Sequence, residues 1–320
     1  GKLVFARGYG ETSAGSGDQV GPETMFSVAS LSKVATAAVV LRLTDQGVFE
    51  LDRDVGNYLE SWSIPASEVA AGKPVTIRGI LSHTAGLSVH GFADFQPGEP
   101  LPSSVEILQG LTPAKNKPIE IIHEPGTRYQ YSGGGYQVLQ LAIEDTLGED
   151  FASAAARTVM NPLSMSRTTF WNPLPSSVGD MAKGHDRNGD PSALPRGWEA
   201  FPEMAASGLW TTPSDYARLL IALAKSAESD EGGFLSQRLA LEMLTEVAPS
   251  RHGLGPALRG EGRDRRLSHG GSNESYKAEC VYYPDPGEGF VAVANGANGA
   301  ILLDEIHRAI ADVFDWPSPE

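Results

Sequence analysis

One pair of residues could do chemistry before any other feature of the chain is considered. Ser30 and Lys33 form the one Ser-x-x-Lys pair in the sequence. On a helix, positions i and i+3 share a face, about 5–6 Å apart between Cβ atoms, so the amine can reach the hydroxyl. If the helix begins at or just before Ser30, unpaired backbone N–H groups and the positive end of the helix dipole also surround that hydroxyl. Such surroundings make a serine nucleophilic. The plainer reading has Ser27 or Ser30 capping a core helix and Lys33 solvated. Against it, Lys33 stands between Leu31 and the apolar run from Val34 to Leu41, where a lysine without a task is costly.

Acyl transfer by a serine also needs an acid for the leaving group and donors for the developing oxyanion. Tyr131 precedes Ser132 and three glycines, so backbone can approach closely there and the phenol can point into a cleft. Tyr129 and Tyr136 read better as packing aromatics. His269 is followed by Gly270-Gly271 on an expected strand, where a substrate can lie along the edge and a backbone N–H can join that of Ser30. A core histidine is the equal alternative at His269. His83, His123 and His185 fall in or near turns without metal-ligand spacing. Walker, dinucleotide, His-x-x-x-His, Cys-x-x-Cys and Gly-x-Ser-x-Gly patterns are all absent, so no cofactor or metal is called for and an α/β-hydrolase loses its main support.

The elements that must position these residues follow from periodicity. A helix is expected from about Ser30 to Asp45, short helices over Ile77 to His83 and after the capping box Ser103-Ser104-Val105-Glu106, and longer ones over Gln137 to Leu147 and Phe151 to Met160. Pro213 to Lys225, Ser236 to Glu246 and Ile301 to Phe314 are also helical in pattern. Leu3 to Gly10, Arg266 to His269, Tyr276 to Tyr283 and Gly289 to Ala294 read as strands. Ser88 to Pro102, rich in Gly, Pro and aromatics, reads as a surface loop over the site, and Asn161 to Pro202 as extended loop; both would line the cleft. Strands at both ends around a helical middle predict an α+β fold with one sheet built from the two termini. The sheet domain would comprise 1–75 and 205–320, and the inserted helical and loop-rich lobe 76–204.

Composition narrows the partners. A net charge of −15 argues against nucleic acid, which needs clustered Lys and Arg. The cluster Arg259, Arg263, Arg265, Arg266 is interleaved with Glu261, Asp264 and glycines and reads as a solvated hairpin tip. Cys280 is the one cysteine, which excludes an internal disulfide; its strand-like flanks make it a small buried hydrophobe. No apolar run reaches the roughly 18 residues of a membrane span. The chain opens at Gly1-Lys2-Leu3-Val4-Phe5, apparently inside a hairpin. Localisation therefore stays undetermined, periplasmic or secreted if a leader was removed and cytoplasmic otherwise, as does the oligomeric state.

Taken in order, the motifs resemble those of the serine β-lactamase and penicillin-binding-protein superfamily, closest to its class C and family VIII carboxylesterase branch. The resemblance rests on Phe26 to Lys33, Val75 to Leu87 (Val-Thr-Ile-Arg-Gly-Ile-Leu-Ser-His-Thr-Ala-Gly-Leu), Pro125-Gly126 before Tyr131-Ser132, Pro162 to Met165, Ala205 to Asp215, and His269-Gly270-Gly271. It implies a β-lactamase/transpeptidase-like fold, a mainly antiparallel sheet flanked by helices with an all-helical lobe. It also implies Ser30 as acylated nucleophile, Lys33 as base or proton shuttle, and Tyr131 as general base and acid. Ser30 and Ser272 would supply the oxyanion N–H groups, with His269, Gly270, Gly271, Ser132 and Gly133 beside the substrate. Two positions depart from the family: Gly133 replaces the asparagine of Tyr-x-Asn, and His269 replaces the lysine of Lys-Thr-Gly. These changes point away from an efficient β-lactamase or transpeptidase toward a hydrolase of small esters or amides. A DD-peptidase, D-aminopeptidase, acyltransferase, or non-catalytic penicillin-binding-like module stays open.

Overall fold

The computed structural model describes residues 1–192, 200–229 and 231–317. In chain order its regular elements are β1 (Phe26–Ser27), α1 (Ser32–Asp45), α2 (Ile77–Leu81), α3 (Ser104–Gln109), α4 (Gly133–Leu147), α5 (Phe151–Ala155) and α6 (Met204–Ser207). There follow β2 (Trp210–Thr211), α7 (Pro213–Glu228), α8 (Gln237–Met243), β3 (Ala257–Arg259), β4 (Arg266–Ser272), β5 (Lys277–Tyr283), β6 (Glu288–Ala294) and α9 (Gly299–Phe314). Strands β3 to β6 form an antiparallel sheet in sequence order, and β1 pairs with β2 in a separate two-stranded ribbon.

Helix α1 is the centre of the molecule. Residues Val34 to Leu41 are wholly buried, as befits a helix apolar all round. Its alanines allow neighbours to come close: a Cβ added at Gly255 would lie 2.7 Å from Cβ of Ala37. Two successive turns of α1 grip α6, through Thr36 Oγ1 to the Ala205 carbonyl (2.8 Å) and Lys33 Nζ to the Ala206 carbonyl (2.8 Å). The same core takes Ile77, Ile80, Leu108 and Leu139 from one part of the chain and Leu209, Leu219, Leu258 and Cys280 from another.

Caps set the remaining helices. Thr76 caps α2, and Ser103 with Glu106 closes the capping box of α3. Ser132 caps α4, and Thr212, with Pro213 in the first turn, opens α7. Two expectations are corrected. Residues 3–9 form no strand and lie exposed apart from a half-buried Gly8. The four-stranded sheet is therefore drawn from residues 257–294 rather than from both termini. The predicted helix over Ile77 to His83 ends at Leu81, and His83 adopts φ +59°. Of the expected loop Asn161 to Pro202, residues 193–199 lie outside the described residues. Among the described residues no helix is long and apolar enough to cross a membrane.

Candidate active site

Ser30 sits on a single 3₁₀ turn, Ala29–Leu31, between β1 and α1. The turn is braced from several sides. Val28 N–H donates to the Leu209 carbonyl (3.1 Å), and Ser32 Oγ donates to the Ala29 carbonyl while accepting from Leu209 N–H (2.9 Å). Tyr216 Oη donates to the Leu31 carbonyl (2.8 Å). Ala29 is held at φ +45°, a conformation that costs an L-residue energy and persists only where its surroundings enforce it. The result is a half-buried serine presented at the floor of a cleft of about 990 Å³.

Lys33, 1 % exposed, is aimed at that serine. Its Nζ donates to Ser30 Oγ at 3.2 Å and to the Ala206 carbonyl at 2.8 Å. It also lies 5.0 Å from the ring centre of Tyr131 and 5.5 Å from that of Tyr136. The Ser-x-x-Lys spacing thus places the amine as the sequence predicts. The Ala206 carbonyl that fixes it comes from 173 residues further along, a partner no spacing rule announces.

Strand β4 closes the site from the other side. A Cβ at Gly271 would lie 2.1 Å from the Val28 carbonyl, so glycine here lets the strand press against the turn that carries Ser30. Asn273 N–H donates to the Tyr276 carbonyl (3.2 Å), and in an antiparallel ladder alternate residues face the same neighbour. The N–H groups of His269 and Gly271 therefore face β5, and those of Gly270 and Ser272 face the opposite edge. There β3 reaches only as far as Ser268, paired with Ala257. Ser272 N–H is thus directed along an uncovered edge beside Ser30, whose own N–H has no backbone partner among the described residues.

Tyr131 lies in the cleft, half-buried, immediately before the Ser132 cap. The glycines that follow fit their neighbours closely: a Cβ at Gly134 would meet the Ser88 carbonyl at 2.7 Å. Two of the residues expected beside a substrate are covered by other parts of the chain. Ser132 is buried, its hydroxyl donating to the Ser88 carbonyl (2.6 Å) and accepting from Gly135 N–H (2.9 Å), so it is spent on the cap rather than offered to a substrate. Gly133 is covered by the loop above it: a Cβ there would meet the His90 carbonyl at 3.0 Å and the Phe92 ring at 3.1 Å. Tyr136 is a buried packing residue bonded to the Leu81 carbonyl, as expected, but Tyr129 is 44 % exposed and forms cleft wall against His252. The loop expected over the site is there, with His90 to Asp94 lining the cleft.

His269 is buried, and its Nδ1–H donates to the Gly270 carbonyl (2.8 Å), which leaves Nε2 as an acceptor without a partner among the described residues. Burial first, then Lys33, pushes its pKa down to about 3. Sequence reasoning missed two buried titratable groups, one beside His269 and one at the start of α6. His252, ahead of β3, is pushed down to about 4 by burial and lies edge-on to both His83 and His269. Glu203, at the start of α6, is 1 % exposed and is pushed up to about 8 by burial. No local pattern marks either one, because each acquires its environment from distant chain. Cys280 is the buried hydrophobe expected, its thiol pushed to about 12 by burial. Among the described residues no three His, Cys, Asp or Glu side chains are placed to hold a metal ion.

These shifts predict a pH profile of stability. His83, His252 and His269 are all held below the ordinary 6.5, so between 6.5 and their folded values the unfolded chain binds more protons than the folded one. Stability contributed above pH 6.5 is lost as pH falls, by up to about 1.4 kcal/mol per pH unit for each histidine. Glu203 acts in the opposite sense. Its folded carboxyl stays protonated to about 8 while the unfolded one ionises near 4.5, so it costs stability as pH rises between those values. Three histidines outweigh one glutamate below pH 6.5, and above it only the glutamate of these four still acts. Urea unfolding is expected to give its largest free energy near pH 6.5; a value that climbs from pH 6.5 to pH 5 would contradict this.

Comparison with known proteins gives the family and the fold. A family model described as Beta-lactamase matches residues 1–313. Protein flp of Staphylococcus aureus (strain N315) is 25 % identical over 216 residues, covering 68 % of this chain but only 40 % of flp, so the match spans less than half of that relative. Among solved structures, the octameric penicillin-binding protein homologue from Pyrococcus abyssi superposes with a TM-score of 0.78 at 22 % identity, over 99 % of this chain and 72 % of that one. The D-amino acid amidase from Ochrobactrum anthropi SV3 superposes with a TM-score of 0.70 at 20 % identity, over 89 % and 79 %. At these identities the likeness is one of fold, a β-lactamase/transpeptidase-like antiparallel sheet with helices.

Proposed function

The chain belongs to the beta-lactamase family, and on that premise we propose that it is a serine hydrolase acting through an acyl-enzyme at Ser30 on small ester or amide substrates. The observation that carries this reading is the 3.2 Å contact between Lys33 Nζ and Ser30 Oγ, with the amine anchored on the Ala206 carbonyl and the phenol of Tyr131 over it. In the proposed reaction Ser30 Oγ attacks the substrate carbonyl, and its proton passes into the Lys33–Tyr131 pair. The oxyanion is met by the N–H groups of Ser30 and Ser272. The same pair returns a proton to the leaving group, and water then cleaves the acyl ester to restore Ser30.

Substrate preference follows from what the cleft lacks. The place of an amide side chain at Gly133 is taken by the His90 carbonyl and the Phe92 ring, and His269, held neutral, offers no cation to a substrate carboxylate. Both favour simple esters and amides over β-lactams and wall peptides. A second reading, an aminopeptidase or amidase of amine-bearing substrates, is favoured by Asp94 and Glu274. They line the same cleft close enough for Glu274 to help raise the Asp94 carboxyl, after burial. The D-amino acid amidase fold is compatible with it.

A p-nitrophenyl ester is expected to give a burst of p-nitrophenol stoichiometric with enzyme. Tyr131→Phe is expected to lower kcat by about 10²- to 10⁴-fold, the range for loss of an acid–base group, with little change in KM. A Tyr131→Phe enzyme as fast as the parent would remove Tyr131 from the mechanism. Added amine or alcohol acceptors separate transfer from hydrolysis, and D-amino acid amides compared with esters separate the two readings.

A further inference from the structure

One residue makes three contacts with the segment that carries Tyr131. The His83 carbonyl accepts Gln130 N–H (2.8 Å), His83 Nδ1 accepts Ser132 N–H (3.2 Å), and the imidazole stacks on the Tyr131 ring with centres 4.2 Å apart and planes inclined by 30°. The residue before the tyrosine, its ring, and the residue after it are all held from His83. That histidine is 1 % exposed and kept at φ +59°, strain that the surrounding fold must enforce. Because Nδ1 accepts, the ring proton belongs on Nε2. Burial, then His252 and Lys33, hold the imidazole neutral.

A second imidazole reaches the same phenol from the loop. His90 is exposed, its ring lies 4.7 Å from that of Tyr131 at 39°, and its carbonyl accepts Gly133 N–H (3.1 Å). Tyr131 thus has one imidazole stacked on it from the interior and a second, tilted one against it from the loop, with Lys33 Nζ 5.0 Å from its ring centre.

The geometry points to His83 and His90 as positioning residues for Tyr131, fixing the phenol against the Ser30–Lys33 pair; this rests on the reading of Tyr131 as acid and base. Neither histidine takes part in the proton transfers. Displacing a reacting group by about 1 Å can cost on the order of 10²-fold in rate, so the two imidazole contacts have room to matter.

The test compares His90→Ala, His90→Phe, His83→Asn and Tyr131→Phe on a p-nitrophenyl ester, with thermal midpoints and the rate of Ser30 labelling by a fluorophosphonate. Asn at position 83 tolerates the left-handed backbone and carries an acceptor where Nδ1 sits, so it keeps the bond from Ser132 N–H while removing the ring that stacks on Tyr131 and also packs against Tyr129, Tyr136 and His252. The inference expects His90→Ala to lower kcat and the labelling rate about tenfold with KM and thermal midpoint unchanged. It expects His90→Phe to recover most of the loss and His83→Asn to lower kcat as well. If His83→Asn fails to fold, the His90 pair decides. Parental kcat in His90→Ala, or failure of His90→Phe to recover it, while Tyr131→Phe is inactive would overturn the positioning role and leave the acid–base reading intact. Parental kcat in Tyr131→Phe would overturn both.

Discussion

Ser30→Ala is expected to abolish the burst and to lower kcat on a p-nitrophenyl ester by on the order of 10⁴-fold or more, while leaving the fold intact. The two halves of this expectation have separate causes. The Ser30 hydroxyl bonds Lys33 Nζ and is not used to hold the turn, which is braced instead by Ser32, Tyr216 and the Val28–Leu209 bond. Removing one oxygen therefore leaves the backbone where it is, and the thermal midpoint should stay close to that of the parent. Chemistry has no such redundancy, because among the described residues Ser30 carries the one hydroxyl hydrogen-bonded to Lys33 Nζ. A Ser30→Ala enzyme that turns over the ester at the parental rate would sink the proposed mechanism.

Lys33→Met should come next in magnitude, with a loss of about 10²- to 10⁴-fold in kcat. Methionine fills a similar volume beside Ala206 and the rings of Tyr131 and Tyr136 but offers Ser30 nothing to take its proton. Two bonds are lost, to Ser30 Oγ and to the Ala206 carbonyl, and one buried carbonyl is left without its partner. Against that, a buried amine and the cost of keeping it from water disappear, and replacing such groups by apolar ones is often neutral or stabilising. Activity should therefore fall steeply while the thermal midpoint moves little or rises. A variant that loses activity only in proportion to the fraction unfolded would mean that Lys33 is a packing residue.

The site was legible in the sequence where its chemistry is local. Ser30 and Lys33 are three residues apart across the junction of the 3₁₀ turn and α1, and glycines at Gly134 and Gly271 mark backbones that approach within 3 Å of where a side chain would begin. What the sequence could not show is contributed by distant chain. The Ala206 carbonyl that anchors Lys33 carries no side-chain signature, and His252 becomes a neutral wall residue only through burial against Tyr129 and His83. Ser132 looked like a substrate contact beside Tyr131, yet its hydroxyl closes the N-terminus of α4. The apolar start of Leu3 to Gly10 reads as a strand, yet residues 3–9 join no ladder among the described residues, and a strand exists only through the ladder it joins. His83 was passed over because its value lies in three contacts across 49 residues of chain.

The central claim, a covalent acyl intermediate on Ser30, is tested most directly by intact-mass measurement of enzyme quenched during turnover, across esters, D-peptides and β-lactams, with peptide mapping of any adduct. The account predicts an acyl mass on the peptide containing Ser30, present while ester remains and gone once it is exhausted, and absent from Ser30→Ala. Turnover of an ester with no adduct, or an adduct on any other residue, would contradict it.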